Sequence, residues 1–106
     1  MILTETVRVR LTPGDRSGYL RESDLTVDTF AGLDWSQATP GGDRRVIVDV
    51  GSVTRYGPGV VERVARALVD AGAGRVQVEG SRKPRVRAAF YRGLREAVTD
   101  ASGVLG

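Results

Sequence analysis

The chain has 106 residues, of which 41% are hydrophobic and 27% are charged, and its formal net charge is +3. This length accommodates one hydrophobic core but not two, so we expect a single domain over residues 1–106. The sequence contains no cysteine and no histidine, which excludes disulfides, thiolate catalysis, sulfur-bound zinc and every catalytic arrangement built on histidine. We therefore expect a protein that is not an enzyme, with no catalytic residue, no metal and no cofactor.

The charge is distributed unevenly along the chain. Residues 1–53 carry a net charge of −2, and residues 54–106 carry a net charge of +5. A basic half suggests an acidic partner such as nucleic acid, although a single lysine beside so many arginines is also typical of coding bias. Residues 1–10 contain no apolar run long enough for a secretion signal or a membrane span. We expect a cytoplasmic protein that does not insert into membranes.

The first half of the chain contains one clear strand pattern and two weaker elements. Residues 7–11 alternate apolar and charged side chains, which is the period of a strand with one face on a core. After a turn, residues 18–25 form a weak candidate for a partner strand. Residues 27–36 have apolar side chains at helical spacing and predict a short helix, and Pro40, Gly41 and Gly42 then form a loop.

The second half of the chain has stronger patterns. Residues 45–50 are a nearly continuous β-branched run, typical of a strand buried in the middle of a sheet. A helix with an apolar and a charged side follows the turn at Gly59 and reaches about Ala71. Residues 75–79 alternate as a strand, and residues 84–99 predict the last helix. A strand, helix and strand in succession predict two parallel strands, so the fold class is α/β.

Two isolated features could be interpreted as functional sites, but we do not favour this interpretation. The turn formed by Gly57, Pro58 and Gly59 precedes a helix and resembles an anion site, but it lacks the Gly-Lys-Ser/Thr of a phosphate-binding loop. Asp49 is the only polar residue within the strongest strand, but no second carboxylate converges on it. An acid near a strand end usually accepts hydrogen bonds from the turn that follows, and we favour this structural role.

Two surfaces are candidate binding sites. Thr54, Arg55 and Tyr56 follow the central strand, where binding groups of α/β domains concentrate. Whether Tyr56 binds a partner or only covers the edge of the core stays open from the sequence. On the last helix, a set of basic residues is a candidate polyanion surface, although a solvated helix face is the favoured interpretation. These residues are Arg85, Arg92 and Arg95.

The order of the elements and several short segments resemble a STAS domain, the fold of bacterial anti-sigma factor antagonists. The resembling segments are residues 22–26, 45–54, 75–80 and 84–87, and the match extends over nearly the whole chain. The resemblance implies a mixed sheet of about four strands, with two to three helices packed mainly on one face. It also implies a regulatory module that acts by binding another protein.

One departure from the family separates this chain from its switchable members. Antagonists of this family carry Asp-Ser-Ser-Gly at the start of a helix, and a partner anti-sigma kinase phosphorylates a serine there. The matching residues here provide no hydroxyl. The expected partner is an anti-sigma factor or a subunit of a larger complex, with self-association open. The alternatives are a nucleic-acid-binding module that uses the basic last helix and an accessory subunit of a larger complex. The predicted partner-binding residues are Thr54, Arg55, Tyr56, Gly57, Pro58, Gly59 and Val60.

Overall fold

Two small parallel sheets and two α-helices form most of the described part of the chain, which in this computed structural model comprises residues 4–33, 43–80 and 83–102. The strands are β1 (Thr4–Arg10), β2 (Tyr19–Leu20), β3 (Asp43–Asp49), β4 (Arg55–Tyr56) and β5 (Arg75–Glu79). The helices are α1 (Val60–Asp70) and α2 (Pro84–Ser102), with short 3₁₀ helices at Glu22–Asp24 and Asp28–Leu33. None of the described helices is long and apolar enough to cross a membrane.

The larger sheet has the strand order β1-β3-β5, and all of its strands are parallel. Its register aligns Val9 with Val48 and Val48 with Val78, so valines form a continuous row across one face. Val48 in the middle strand is fully buried. The predictions of a central strand over residues 45–50 and of parallel strands on either side of α1 are therefore confirmed.

The core lies between this valine face and the two helices. Val64 and Leu68 of α1 and Phe90 and Leu94 of α2 are fully buried in the same cluster as the sheet valines. Burying one such side chain contributes about 1.5–3 kcal/mol. The helix predicted after Gly59 and the helix predicted from residue 84 are confirmed, because both bury the apolar faces that their sequence periodicity indicates.

The opposite face of the sheet carries charged side chains. Arg10, Asp49 and Glu79 are aligned across the three strands. Arg8 forms an ion pair with Glu79, and the Arg10 Nε atom lies 3.7 Å from Asp49 Oδ2. Asp49 Oδ1 also accepts a hydrogen bond of 2.8 Å from the Gly51 N–H, as expected for an acid that structures the following turn. Because these side chains are partly or largely exposed, their ion pairs contribute little stability.

Three details of the predicted architecture require correction. The described residues form five strands in two parallel sheets, not about four strands in one mixed sheet. Within residues 18–25 the strand is only two residues long, and it pairs with β4 instead of β1. The helix predicted over residues 27–36 is a 3₁₀ helix at Asp28–Leu33. The end of that predicted helix and the loop at residues 40–42 lie outside the described residues.

Phe90 and Tyr91 are adjacent in α2 and provide a matched test of the core. Phe90 is fully buried, whereas Tyr91 is 41% exposed. We expect Phe90→Ala to lower the free energy of unfolding by about 3–5 kcal/mol because it leaves a cavity in the core. Tyr91→Ala is expected to lower it by about 1 kcal/mol or less. Urea denaturation followed by circular dichroism measures both, and equal losses would contradict this packing.

Candidate partner-binding site

The segment after the central strand is hydrogen-bonded to the N-terminal half of the chain. The Thr54 N–H donates to the Gly18 carbonyl at 2.9 Å, and the Thr54 hydroxyl donates to the Ser17 carbonyl at 2.6 Å. Three residues further on, the Gly57 N–H donates to the Leu20 carbonyl at 2.9 Å. These bonds accompany the β2–β4 pairing and hold residues 54–57 in one conformation, which lowers the entropy lost when a partner binds.

Gly18 permits this close approach. Its φ is +85°, and a Cβ atom there would lie 2.7 Å from Thr54 Oγ1 and 2.8 Å from the Ser52 carbonyl oxygen. Side chains other than glycine rarely adopt this backbone region, and the space beside it is already filled. The pairing of the two segments therefore depends on glycine at this position.

Gly59 has the same left-handed conformation at the N-terminus of α1. Its φ is +83°, and a Cβ atom there would lie 2.7 Å from Glu22 Oε2. The Glu22 carboxylate therefore lies against the turn that begins the helix. A negative charge at this end of a helix is favoured by the helix dipole. The position where the sequence suggested a weak anion site is thus adjacent to a carboxylate of the chain itself.

Tyr19 connects this surface to two arginines. The guanidinium carbons of Arg21 and Arg55 lie 5.2 and 5.3 Å from the centre of its ring. The Tyr19 hydroxyl also lies close to Gly57, where a Cβ atom would be 2.9 Å from it. Each cation–π contact at an exposed site contributes about 0.5–1 kcal/mol. Together these contacts orient the Arg55 side chain on the predicted docking surface, by which we mean the predicted partner-binding residues 54–60.

The seven predicted partner-binding residues differ in their exposure. Arg55 and Pro58 are exposed, and Thr54, Tyr56 and Gly59 are partly exposed. Gly57 is buried, and so is Val60, whose exposure is 0%. Val60 is part of the core that lies beneath the turn. Its side chain is therefore not accessible to a partner on the folded surface.

The position of Tyr56 is compatible with both roles that the sequence left open. Its ring packs edge-on against the buried Phe90 ring, with the centroids 4.9 Å apart and an interplanar angle of 68°. This geometry is a preferred one for aromatic pairs. Because the side chain is only partly buried, Tyr56 covers the edge of the core and also leaves part of its surface accessible.

The three basic residues predicted on the last helix are exposed and line two clefts. Arg85 lies in the first turn of α2 and lines a cleft with Arg55 and Lys83. Further along α2, Arg92 and Arg95 line a cleft that also contains acidic side chains, and Arg95 is 5.9 Å from the centre of the Tyr91 ring. These acidic side chains are Glu96 and Asp100. Of the three basic residues, Arg85 is therefore the one that lines a cleft together with residues of the predicted docking surface.

Asp15 lies near the same arginines. The Ser17 N–H donates to Asp15 Oδ1 at 2.8 Å, and this bond, followed by a bond from the Ser17 side chain, lowers the pKa of Asp15 below its ordinary value. Burial opposes this lowering, and the positive charges of Arg21 and Arg55 act in the same direction as the hydrogen bonds. Asp15 is therefore ionised throughout the neutral range.

The part of the chain that the structure describes contains no cluster of three acidic side chains able to hold a metal ion. Comparison of the chain with protein-family models, with curated proteins and with solved structures finds no match. The resemblance to STAS domains therefore stays a prediction from the sequence.

Sequence reasoning missed three residues that belong to this surface. Tyr19 and Arg21 had no assigned role, and Glu22 appeared only as part of a resembling segment. Each meets the docking surface through segments distant in the sequence, as the contact between Ser17 and Thr54 spans 37 positions. The glycine at position 18, followed by a tyrosine, was the only local signal of such a close approach.

The Gly59 turn gives a stability test of the site. We expect Gly59→Ala to lower the free energy of unfolding by about 1–2 kcal/mol, because a side chain is unfavourable at positive φ, with a further loss from its approach to Glu22. Pro58→Ala, at an exposed neighbouring position, is the control and should cost less. The double variant Glu22→Ala/Gly59→Ala should recover only the part of the stability loss that comes from the approach of the new Cβ atom to the Glu22 carboxylate. Equal stability of the Gly59→Ala variant and the wild type, measured by urea denaturation, would refute the left-handed turn.

The Asp15 carboxyl group gives a test by pH titration. NMR of the carboxyl carbon should show a midpoint below that of aspartate in an unfolded peptide, and Ser17→Ala should raise it because one hydrogen bond to the carboxylate is lost. Because the pKa is lower in the folded state, the Asp15 contribution to stability is present at neutral pH and disappears as the pH falls through that lowered pKa. A midpoint at or above the unfolded value would contradict the turn geometry.

Proposed function

We propose that the chain is a cytoplasmic, bacterial protein-binding module without catalytic activity, which docks a regulatory protein through the exposed parts of residues 54–59. The observation that carries the proposal is the fixed geometry of this segment. It is exposed at Arg55 and Pro58, is fastened to residues 17–20 by hydrogen bonds, and rests on buried Val60. A preformed surface of this kind favours recognition by another protein.

The chemistry of the turn supports a module that is not switched by phosphorylation. The three residues before α1 are Gly57, Pro58 and Gly59, which have no hydroxyl group. The Glu22 carboxylate lies against Gly59, and a phosphate added beside it would meet a like charge. The turn that begins α1 therefore keeps one charge state, and the proposed module resembles an antagonist that is always competent to bind.

The resemblance to anti-sigma factor antagonists favours an anti-sigma factor as the partner. A subunit of a larger regulatory complex is the alternative that the same resemblance allows. Both place the contact at the turn that begins α1, so one set of variants tests both. We name no catalytic role for any residue of the surface.

The test is a substitution at Pro58, whose side chain is exposed at the tip of the turn. The tagged wild type should retain a specific protein from a lysate of its host, and Pro58→Trp should reduce the retained amount at least tenfold because the bulky ring blocks close approach. Quantitative mass spectrometry of the retained protein measures the effect.

Ala88→Trp is the matched control, since Ala88 is exposed on α2 and lines clefts that contain no residue of the turn. This variant should retain the partner at the wild-type level. Both variants should keep the circular dichroism spectrum of the wild type. Retention that is unaffected by Pro58→Trp, or is reduced equally by Ala88→Trp, would contradict docking through the turn.

A further inference from the structure

A basic cleft lies beside the docking surface. It has a volume of about 550 Å³ and is lined by six residues from three segments of the chain. These residues are Ser17, Thr54, Arg55, Lys83, Arg85 and Val86. Three of the six are cationic, and among the residues that the structure describes no acidic one lines the cleft. The sequence places these cations up to thirty positions apart, so only the fold brings them together.

Two of these cations, Arg55 and Arg85, take part in neither of the ion pairs formed by Arg8 and Arg10 in the described ranges 4–33, 43–80 and 83–102. Arg55 contacts the Tyr19 ring, which orients the guanidinium without neutralising it. The cleft therefore carries positive charge that is available to a ligand.

The hydroxyl groups of the cleft contribute less than the cations. The Thr54 hydroxyl donates its proton to the Ser17 carbonyl, and the Ser17 side chain bonds to Asp15. Neither is a free donor for an anion. Recognition must therefore come from the cationic side chains, which favours a ligand with several negative charges over a single small anion.

We infer that this cleft binds an acidic segment of the protein partner, with carboxylates facing Arg55, Lys83 and Arg85. The inference rests on the proposed function, because the cleft adjoins the docking surface through Thr54 and Arg55. It adds the chemistry of the partner to that proposal. Charge complementarity at such a surface sets the orientation and the association rate of the complex.

The surroundings of the cleft favour an acidic peptide over nucleic acid. Asp15 and Glu22 lie near Arg55 and the turn, and they would repel a long polyanion that extended past the cleft. Single-stranded nucleic acid also requires aromatic rings on which its bases stack. Tyr19 is already in contact with Arg21 and Arg55, so a short acidic segment fits this site better.

The experiment is an NMR titration of the ¹⁵N-labelled protein with a capped peptide of six glutamates, with a peptide of six glutamines as the uncharged control. The glutamate peptide should shift the amide signals of residues 54–55 and 83–86 in a saturable way, and the glutamine peptide should not. Arg55→Gln/Arg85→Gln should raise the Kd about fivefold or more. Raising the salt concentration should weaken binding because the contacts are between exposed charges.

Arg92→Gln/Arg95→Gln removes the same charge from another part of α2 and is the matched control, with an expected change in Kd of less than twofold. Shifts centred on the C-terminal half of α2, or equal binding of both peptides, would overturn the inference. A twelve-nucleotide DNA strand that bound this cleft more tightly than the glutamate peptide would overturn it in favour of nucleic acid. All variants are compared as folded proteins by their NMR spectra.

The same variants separate this inference from the proposed function. A captured partner that is lost with Pro58→Trp but retained by Arg55→Gln/Arg85→Gln would overturn the acidic-segment inference and leave docking through the turn intact. A partner insensitive to Pro58→Trp would contradict the proposed function, whatever the glutamate peptide does. A partner lost with both sets of variants and retained by the control would support both.

Discussion

The pairing of residues 54–57 with residues 17–20 is the constraint on which the candidate site depends. A parallel ladder of two residues per strand is too short to be stable alone. It persists because Leu20 and Val53, on its two sides, are fully buried in the core. The hydrogen bonds from Thr54 and Gly57 then fix the segment that core burial has brought into place. Docking surface, cleft and turn therefore derive their geometry from the same core that stabilises the domain.

The site has a carboxylate against the turn on one side and the cations of the cleft on the other, and this arrangement follows from the same pairing. Glu22 lies against the turn that begins α1, because the short 3₁₀ helix Glu22–Asp24 follows directly after β2. On the other side, β4 and the first turn of α2 bring Arg55 and Arg85 to one cleft. A partner that meets both sides has a preferred orientation, since one rotated by half a turn would place like charges together.

The sequence predicts the elements whose signals are local and misses those that depend on distant pairing. β3 has a nearly continuous β-branched run, and α1, β5 and α2 have strong periodicity over five or more residues; the structure contains all four. β2 and β4 are two residues long and have no periodicity, so no pattern in the sequence indicates that they pair. Val60 shows this limit of sequence prediction in a single residue. Its position next to a turn suggests an exposed side chain, whereas its position on the apolar side of α1 requires a buried one.

The residue types of the surface also determine how its binding can be regulated. The lowered pKa of Asp15 keeps this carboxylate ionised across the neutral range. The chain has no histidine to titrate near neutral pH, and the turn before α1 has no hydroxyl to modify. Under the proposed function, the turn therefore keeps one charge state. Binding is then regulated through the acidic segment of the partner, whose own negative charge determines how strongly it contacts the arginines of the cleft.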